Sequence, residues 1–116
     1  MPESPIHLLP LPAATFHILM ALAGEDRHGY AIIQDVAAFT NGTVKLSAGT
    51  LYRSIQRMLE QDLLVETESP DPKTDDERRR YYRITPFGRK VAEAEAKRLT
   101  RLVKLAQRSG FAGRKV

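Results

Sequence analysis

SAGTLYRSIQRMLE, residues 47–60, is the stretch on which the reading of the whole chain turns. Leu51, Ile55, Met58 and Leu59 follow the i, i+4, i+7, i+8 spacing that buries one side of a helix. Ser47 stands where its hydroxyl can accept from the free N–H groups of the first turn, so the start of the helix is marked as well. The opposite face carries Gly49, Thr50, Arg53, Ser54 and Arg57, small and hydrogen-bonding near the N-terminus and cationic one turn later. A helix entering a DNA major groove presents such a surface to base edges and phosphates. The competing reading is a solvated helix face with a capped end.

Upstream, residues 43–46 are short and β-prone and serve as a link. Residues 30–40, YAIIQDVAAFT, repeat apolar side chains at Tyr30, Ile33, Val36 and Ala37 and stop at Asn41-Gly42, which predicts a second short helix. Two helices joined by a short connection, the second with a polar outer face, make a helix-turn-helix. Before them, residues 11–24 predict a helix with Pro12 in its first turn and Gly24 at its end. Phe16, Ile18, Leu19, Met20 and Leu22 make it so apolar that other helices or a second subunit must cover most of its sides. Residues 25–27 read as a polar turn, and residues 1–10, with three prolines, as a flexible lead able to drape over a neighbouring surface.

Downstream, the period changes. Residues 63–68 read as a strand, SPDPKTDDE (69–77) breaks the pattern, and RRRYYRIT (78–85) resumes it with Tyr82 and Ile84 on one face and Tyr81 and Arg83 on the other. This hairpin is a wing, placed to lie over the phosphate backbone beside the groove. Arg78, Arg79 and Arg80 either neutralise Asp75, Asp76 and Glu77 or line the stem and reach phosphates. Lys45 and Lys73 are further phosphate candidates or solubilising charges, and Tyr52, next to the apolar stripe, is half core with a hydroxyl that can reach a phosphate. Thr85-Pro86 then opens a last helix running to about Arg108, roughly 30 Å long and too long for a small winged core to cover. Ala92, Ala96, Leu99, Val103 and Ala106 form a heptad seam with Leu102 beside it. Together with Phe16 and Met20 of the first helix, this seam predicts pairing with another chain.

Composition narrows the function. The 116 residues suit one domain, and the absence of cysteine excludes disulfides, thiolate metal sites and cysteine nucleophiles. Residues 1–44 hold one basic and four acidic side chains, whereas residues 45–116 hold 17 basic and 10 acidic, so the basic surplus starts with the reading helix and suggests a polyanion partner. The proline-broken start has no basic region of a signal peptide and no apolar run is long enough for a membrane span, which predicts a soluble, cytoplasmic protein. His7, His17 and His28 are scattered without the spacing of a metal set, and no cofactor-binding or catalytic constellation stands out, so neither a metal sensor nor an enzyme is expected.

HGYAIIQDV, LSAGTLYRSIQRMLEQDLL, DDERRRYYRIT and TPFGRKVAEAEAKRL, in this order and spacing, resemble the PadR family of bacterial transcriptional regulators over about residues 8–105. The resemblance implies a winged helix-turn-helix whose first and last helices build a homodimer. It also implies repression of a promoter, relieved by a small-molecule effector, often phenolic or otherwise aromatic. The chain looks like the short class with a single C-terminal helix; it has no tryptophan, so it lacks the residues with which some short members stack planar drugs.

The fold expected is therefore mainly α, of the α+β kind. A winged helix-turn-helix with a two-stranded wing spans residues 11–85, a C-terminal dimerisation helix spans 86–108, and a tail spans 109–116. The function expected is sequence-specific regulation of transcription by a homodimer on a pseudo-palindromic operator; the alternative is a winged-helix protein-interaction module with no specific DNA binding.

Overall fold

A computed structural model of the chain describes residues 4–70 and 80–111. Among them, a 3-10 helix at Pro5–Leu8 is followed by α1 (Ala13–Ala21), β1 (Arg27–His28), α2 (Gly29–Phe39), α3 (Ala48–Glu60), β2 (Leu64–Thr67), β3 (Tyr81–Ile84) and α4 (Pro86–Arg108). The fold is mostly helical with one small antiparallel sheet.

The core explains why these segments are helices. Ile18, Leu19 and Leu22 from α1 and its end meet Ile32 and Val36 from α2, Leu51, Ile55 and Met58 from α3, and Leu63, Leu64, Tyr82 and Val91 from beyond. Helix α1 lies in the middle, packed on α2, α3 and α4, which is how so apolar a segment is covered within one chain. Met20 alone among its large side chains remains clearly exposed. In α2 the buried stripe is Ile32 and Val36 rather than one led by Tyr30, whose ring is exposed. Both residues fit a helical period, and the packing of α1 decides which one turns inward.

Two features add to the expected layout. The wing is not a lone pair of strands: the sheet has the order β1-β3-β2, with Arg27 opposite Tyr82 and His28 opposite Tyr81. Only two residues long, β1 is too short to show a period, and the polar residues 25–27 read as a turn. Its His28 also caps α2, accepting from the Ala31 N–H at 3.2 Å. The second is the lead: the Pro5–Leu8 turn packs on α4, and Leu8 and Leu9 lean on the core.

A buried carboxylate holds that lead. Glu95 of α4 is 2% exposed, accepts from the Leu11 N–H at 3.1 Å and from Arg98 Nε and Nη2 at 2.6 and 3.1 Å. The Arg98 hydrogen bonds, helped by the Leu11 N–H, lower the Glu95 pKa from the ordinary value of 4.5, and burial opposes them. A lowered folded pKa gives stability that is fully present above the unfolded value and lost as pH falls through the folded one. Wild type should therefore lose stability as pH falls below about 4.5 through a component that Glu95→Gln lacks. At neutral pH that variant should be less stable by about 1.5–3 kcal/mol, the usual worth of hydrogen bonds to a charged group. Urea midpoints across pH 3–7 measure both; parallel curves for the two proteins would refute it.

Helix α4 is buried only along its first half, at Gly88, Val91 and Glu95. From Ala96 to Arg108, about three and a half turns, no residue is fully buried, and Arg98, Leu99 and Ala106 are half-buried.

Candidate nucleic-acid interface

The surface centres on α3. Ser47 Oγ accepts from the Thr50 N–H at 3.1 Å and fixes the first turn, while Leu51, Ile55 and Met58 anchor the inner side. Replacing Ser47 by alanine should cost about 1 kcal/mol of stability, the usual loss for a hydroxyl cap, with glycine costing less; thermal melts of the two variants measure it.

Held this way, α3 turns Gly49, Arg53 and Arg57 outward in one column at spacings of four, with Thr50 half-buried beside them. The Arg53 guanidinium folds back along the helix, and a Cβ on Gly49 would lie 3.3 Å from its Nη1. The bare Cα of Gly49 thus leaves room for the guanidinium near the positive end of the helix. Neither Arg53 nor Arg57 has an ion-pair partner among the described residues, so both charges are available to an anion. Lys45, in the link before α3, is also exposed.

Tyr52 departs from that column. Its hydroxyl sits over the backbone of Gly29 at the start of α2, where any Cβ would collide with it, and the rest of the ring is half exposed. The hydroxyl is thus engaged with packing between α2 and α3. Gly29 is buried for this reason.

On the wing, Arg80 pairs with Glu66 of β2 at 3.3 Å, both side chains being largely exposed. Such a pair contributes little to stability, so Arg80 can exchange its partner at small cost. Arg78, Arg79 and Lys73 lie outside the described residues. The wing strand is braced from the other side by a fork between Arg83 and Asp26, Nε to Oδ1 at 3.1 Å and Nη2 to Oδ2 at 2.9 Å. Arg27, next along the chain, bridges Glu25 at 3.0 Å and Asp35 at 2.8 Å, the latter at an angle unsuited to a hydrogen bond. The Arg83–Asp26 and Arg27–Asp35 pairs join residues 57 and 8 positions apart, and the sequence reading missed both; the excess of acids in residues 25–35 was the available signal.

The expected pairing surface lies elsewhere. Leu102 and Val103 are 51% and 52% exposed, Met20 is 41% exposed, Ala96 is exposed, and Phe16, Ala92, Leu99 and Ala106 are half-buried. A cleft of about 270 Å³ between α1 and α4 is lined by Phe16, Leu19, Met20, Ala92 and Ala96, with Arg89 and Glu93 at its edge. No group of three or more His, Asp or Glu side chains able to hold a metal ion occurs among the described residues. No helix of the described chain is long and apolar enough to cross a membrane.

The model of a family described as the transcriptional regulator PadR-like family matches residues 18–94. An uncharacterised protein of Lysinibacillus sphaericus is 38% identical over 72 residues, which are 62% of this chain and 64% of that protein's length. Among solved structures, a transcriptional regulator from Clostridium thermocellum superposes with a TM-score of 0.72 at 24% identity, covering 82% of this chain and 87% of that one. A PadR family transcription regulator from Clostridium difficile gives 0.72 at 23% identity, covering 84% and 97%. A zinc-responsive MarR family member from Lactococcus lactis gives 0.62 at 23% identity, covering 95% and 66%. At these identities the structural likeness speaks for the fold.

Proposed function

Because this chain belongs to the transcriptional regulator PadR-like family, we propose that it is a homodimeric repressor that reads a pseudo-palindromic DNA operator through α3 and is released by a small-molecule effector of phenolic or aromatic type. The family is one of DNA-binding regulators and not of enzymes, and this chain is a transcriptional regulator. The observation that carries the finer reading is the outer column of α3: a capped helix, anchored by three buried side chains, presents two guanidinia with no ion-pair partner among the described residues. Arg53, Arg57, Thr50 and Ser47 take the groove, with Lys45 and the wing cations Arg78, Arg79 and Arg80 on phosphates; Tyr52 holds α3 against α2.

Dimerisation is supported by the large apolar side chains left exposed on the second half of α4. Exposed Leu102 and Val103, in line with Ala96, Leu99 and Ala106, continue into the cleft beside Phe16 and Met20. A partner helix would fill this line, and two reading helices about 34 Å apart would then enter successive major grooves. Leu102→Glu combined with Val103→Glu should halve the mass found by sedimentation equilibrium while leaving the helical circular dichroism of the domain intact. An unchanged mass, dimeric or monomeric in both proteins, would count against the seam.

The test of the whole reading is to select duplexes from a random pool with the purified protein at a stated salt concentration. Enrichment of a two-fold symmetric sequence, with half-sites about 10 bp apart, is expected. A winged-helix interaction module would enrich no sequence and bind duplex with little salt dependence.

A further inference from the structure

Helix α4 carries a second surface on the side away from its seam. Lys90, Lys97, Arg101, Lys104 and Arg108 lie within roughly 40° of a single line along the helix at its 3.6-residue period, and all five are exposed. From Lys90 to Arg108, 18 steps along the helix, the line is about 27 Å long. None of the five has an ion pair or side-chain hydrogen bond among the described residues. The cations of α4 off this line are occupied: Arg89 donates to the Ala23 carbonyl at 3.0 Å, and Arg98 holds Glu95. No acidic residue follows Glu95 anywhere in the sequence, so nothing further along the chain offsets the line.

The chemistry of the line selects its partner. Protein interfaces need an apolar or aromatic centre and are depleted of lysine, and here the side chains flanking the cations are Glu93, Ala94, Thr100, Leu105 and Gln107, of which Leu105 alone is large and apolar. An anionic membrane would take the apolar face of an amphipathic helix together with its cations, but on α4 that face packs on α1 and on the Pro5–Leu8 turn, so it is not free to enter lipid. A regularly charged polyphosphate needs neither an apolar centre nor an insertion. The position of the line also separates it from the reading helix. Helix α1 packs on both α3 and α4, and α4 starts at the Ile84 end of β3, opposite the end that leads into the wing loop. The line points away from α1, and hence away from α3.

We propose that the outer cationic line of α4 is a second DNA-backbone surface, which holds a duplex segment other than the one read by α3, so that one protein molecule bridges two stretches of DNA. The first segment rests on the reading of α3 given above; the second does not depend on it, nor on dimerisation.

The test uses the full chain, a bead-tethered duplex carrying the selected operator and a free fluorescent duplex of unrelated sequence. At 50 mM salt the wild type should retain the free duplex on the beads. A variant with Lys97→Gln, Arg101→Gln and Lys104→Gln, all exposed and helix-compatible, should keep its melting temperature and its operator binding but retain at least about tenfold less free duplex. Three lost phosphate contacts correspond to a salt slope smaller by ~2.7 for the second duplex. Equal retention by variant and wild type, or none by wild type, overturns the proposal. Displacement of the second duplex by polyglutamate at lower charge concentration than by duplex competitor also overturns it, assigning the line to an acidic protein. Arg53→Ala with Arg57→Ala separates the two readings: it should abolish operator preference, while direct binding of the free duplex, read by fluorescence anisotropy, should still fall when Lys97→Gln, Arg101→Gln and Lys104→Gln are added. If no protein shows sequence preference yet the triple variant alone loses duplex, the α4 surface stands and the reading of α3 falls.

Discussion

Gly88→Ala is expected to be the most damaging single-methyl change in the fold. A Cβ at this buried position would run into the backbone carbonyl oxygen of Leu63, lie 2.9 Å from its carbonyl carbon and 3.1 Å from Ile84 Cγ1. The carbonyl cannot step aside, because it already accepts from the Thr85 N–H at 3.1 Å. Thr85 itself is held by two further bonds, accepting from the Gly88 N–H at 2.8 Å and donating to the Asp62 carbonyl at 2.6 Å. Relief therefore means lifting the start of α4 off the end of the α3–β2 connection. Overpacking costs typically 1–3 kcal/mol, and a clash with engaged backbone belongs at the upper end, about 3 kcal/mol. Against a usual total of about 5–15 kcal/mol this is a large fraction, and should lower Tm by roughly 10–20 °C. Gly24→Ala is the control, since a Cβ there meets nothing within 4 Å. Similar melting temperatures for the two variants would remove the argument.

The second large effect is on DNA affinity. If each protomer of the dimer neutralises three phosphates, six counterions leave on binding and log K falls with log salt at a slope of about −5.4. Raising salt from 50 to 200 mM should then weaken binding by about 10³-fold. Arg53→Ala adds a different signature. A bidentate base contact is worth roughly 1–3 kcal/mol, or about 5- to 150-fold, and its loss should relax preference at one position of each half-site. Lys45→Ala, by contrast, should weaken all sequences alike and reduce the slope. Fluorescence anisotropy with operator and scrambled duplexes at several salt concentrations resolves the three outcomes. A flat salt response, or an Arg53→Ala effect equal on both duplexes, would take base reading away from this side chain.

Most of this architecture could be read from local pattern. Ser47 with Leu51, Ile55 and Met58 marked α3, and Thr85-Pro86 marked α4, because a cap and an apolar period are written within a few residues of each other. What could not be read depends on partners far apart in the chain. Tyr30 and Ile32 were both plausible inner positions of α2, and only the approach of α1 separates them. Strand β1 has too few residues for a period, and its existence is imposed by Tyr81 and Tyr82. Nothing local to Glu95, beside the heptad position Ala96, signals burial, whereas its carboxylate is buried on the Leu11 N–H. At the interface, the outward column of Gly49, Arg53 and Arg57 followed from helical period alone. The inward turn of the Tyr52 hydroxyl did not, since it is set by the bare backbone of Gly29 on another helix.

The bond between Leu11 and Glu95 also joins early and late parts of the chain, 84 positions apart, and this bears on how the protein is made. At ~5–20 residues per second, a ribosome takes roughly 4–17 s to add the stretch between them. During that interval α1 has emerged while α4 and the carboxylate that fastens the segment before it have not. Ile18, Leu19 and Leu22 then depend on α2 and α3 for cover, and the side that later faces α4 stays wet. Nascent chains arrested before residue 95 should therefore be the form most prone to hold chaperones or to aggregate, and release of the last helix is the step that ends this exposure.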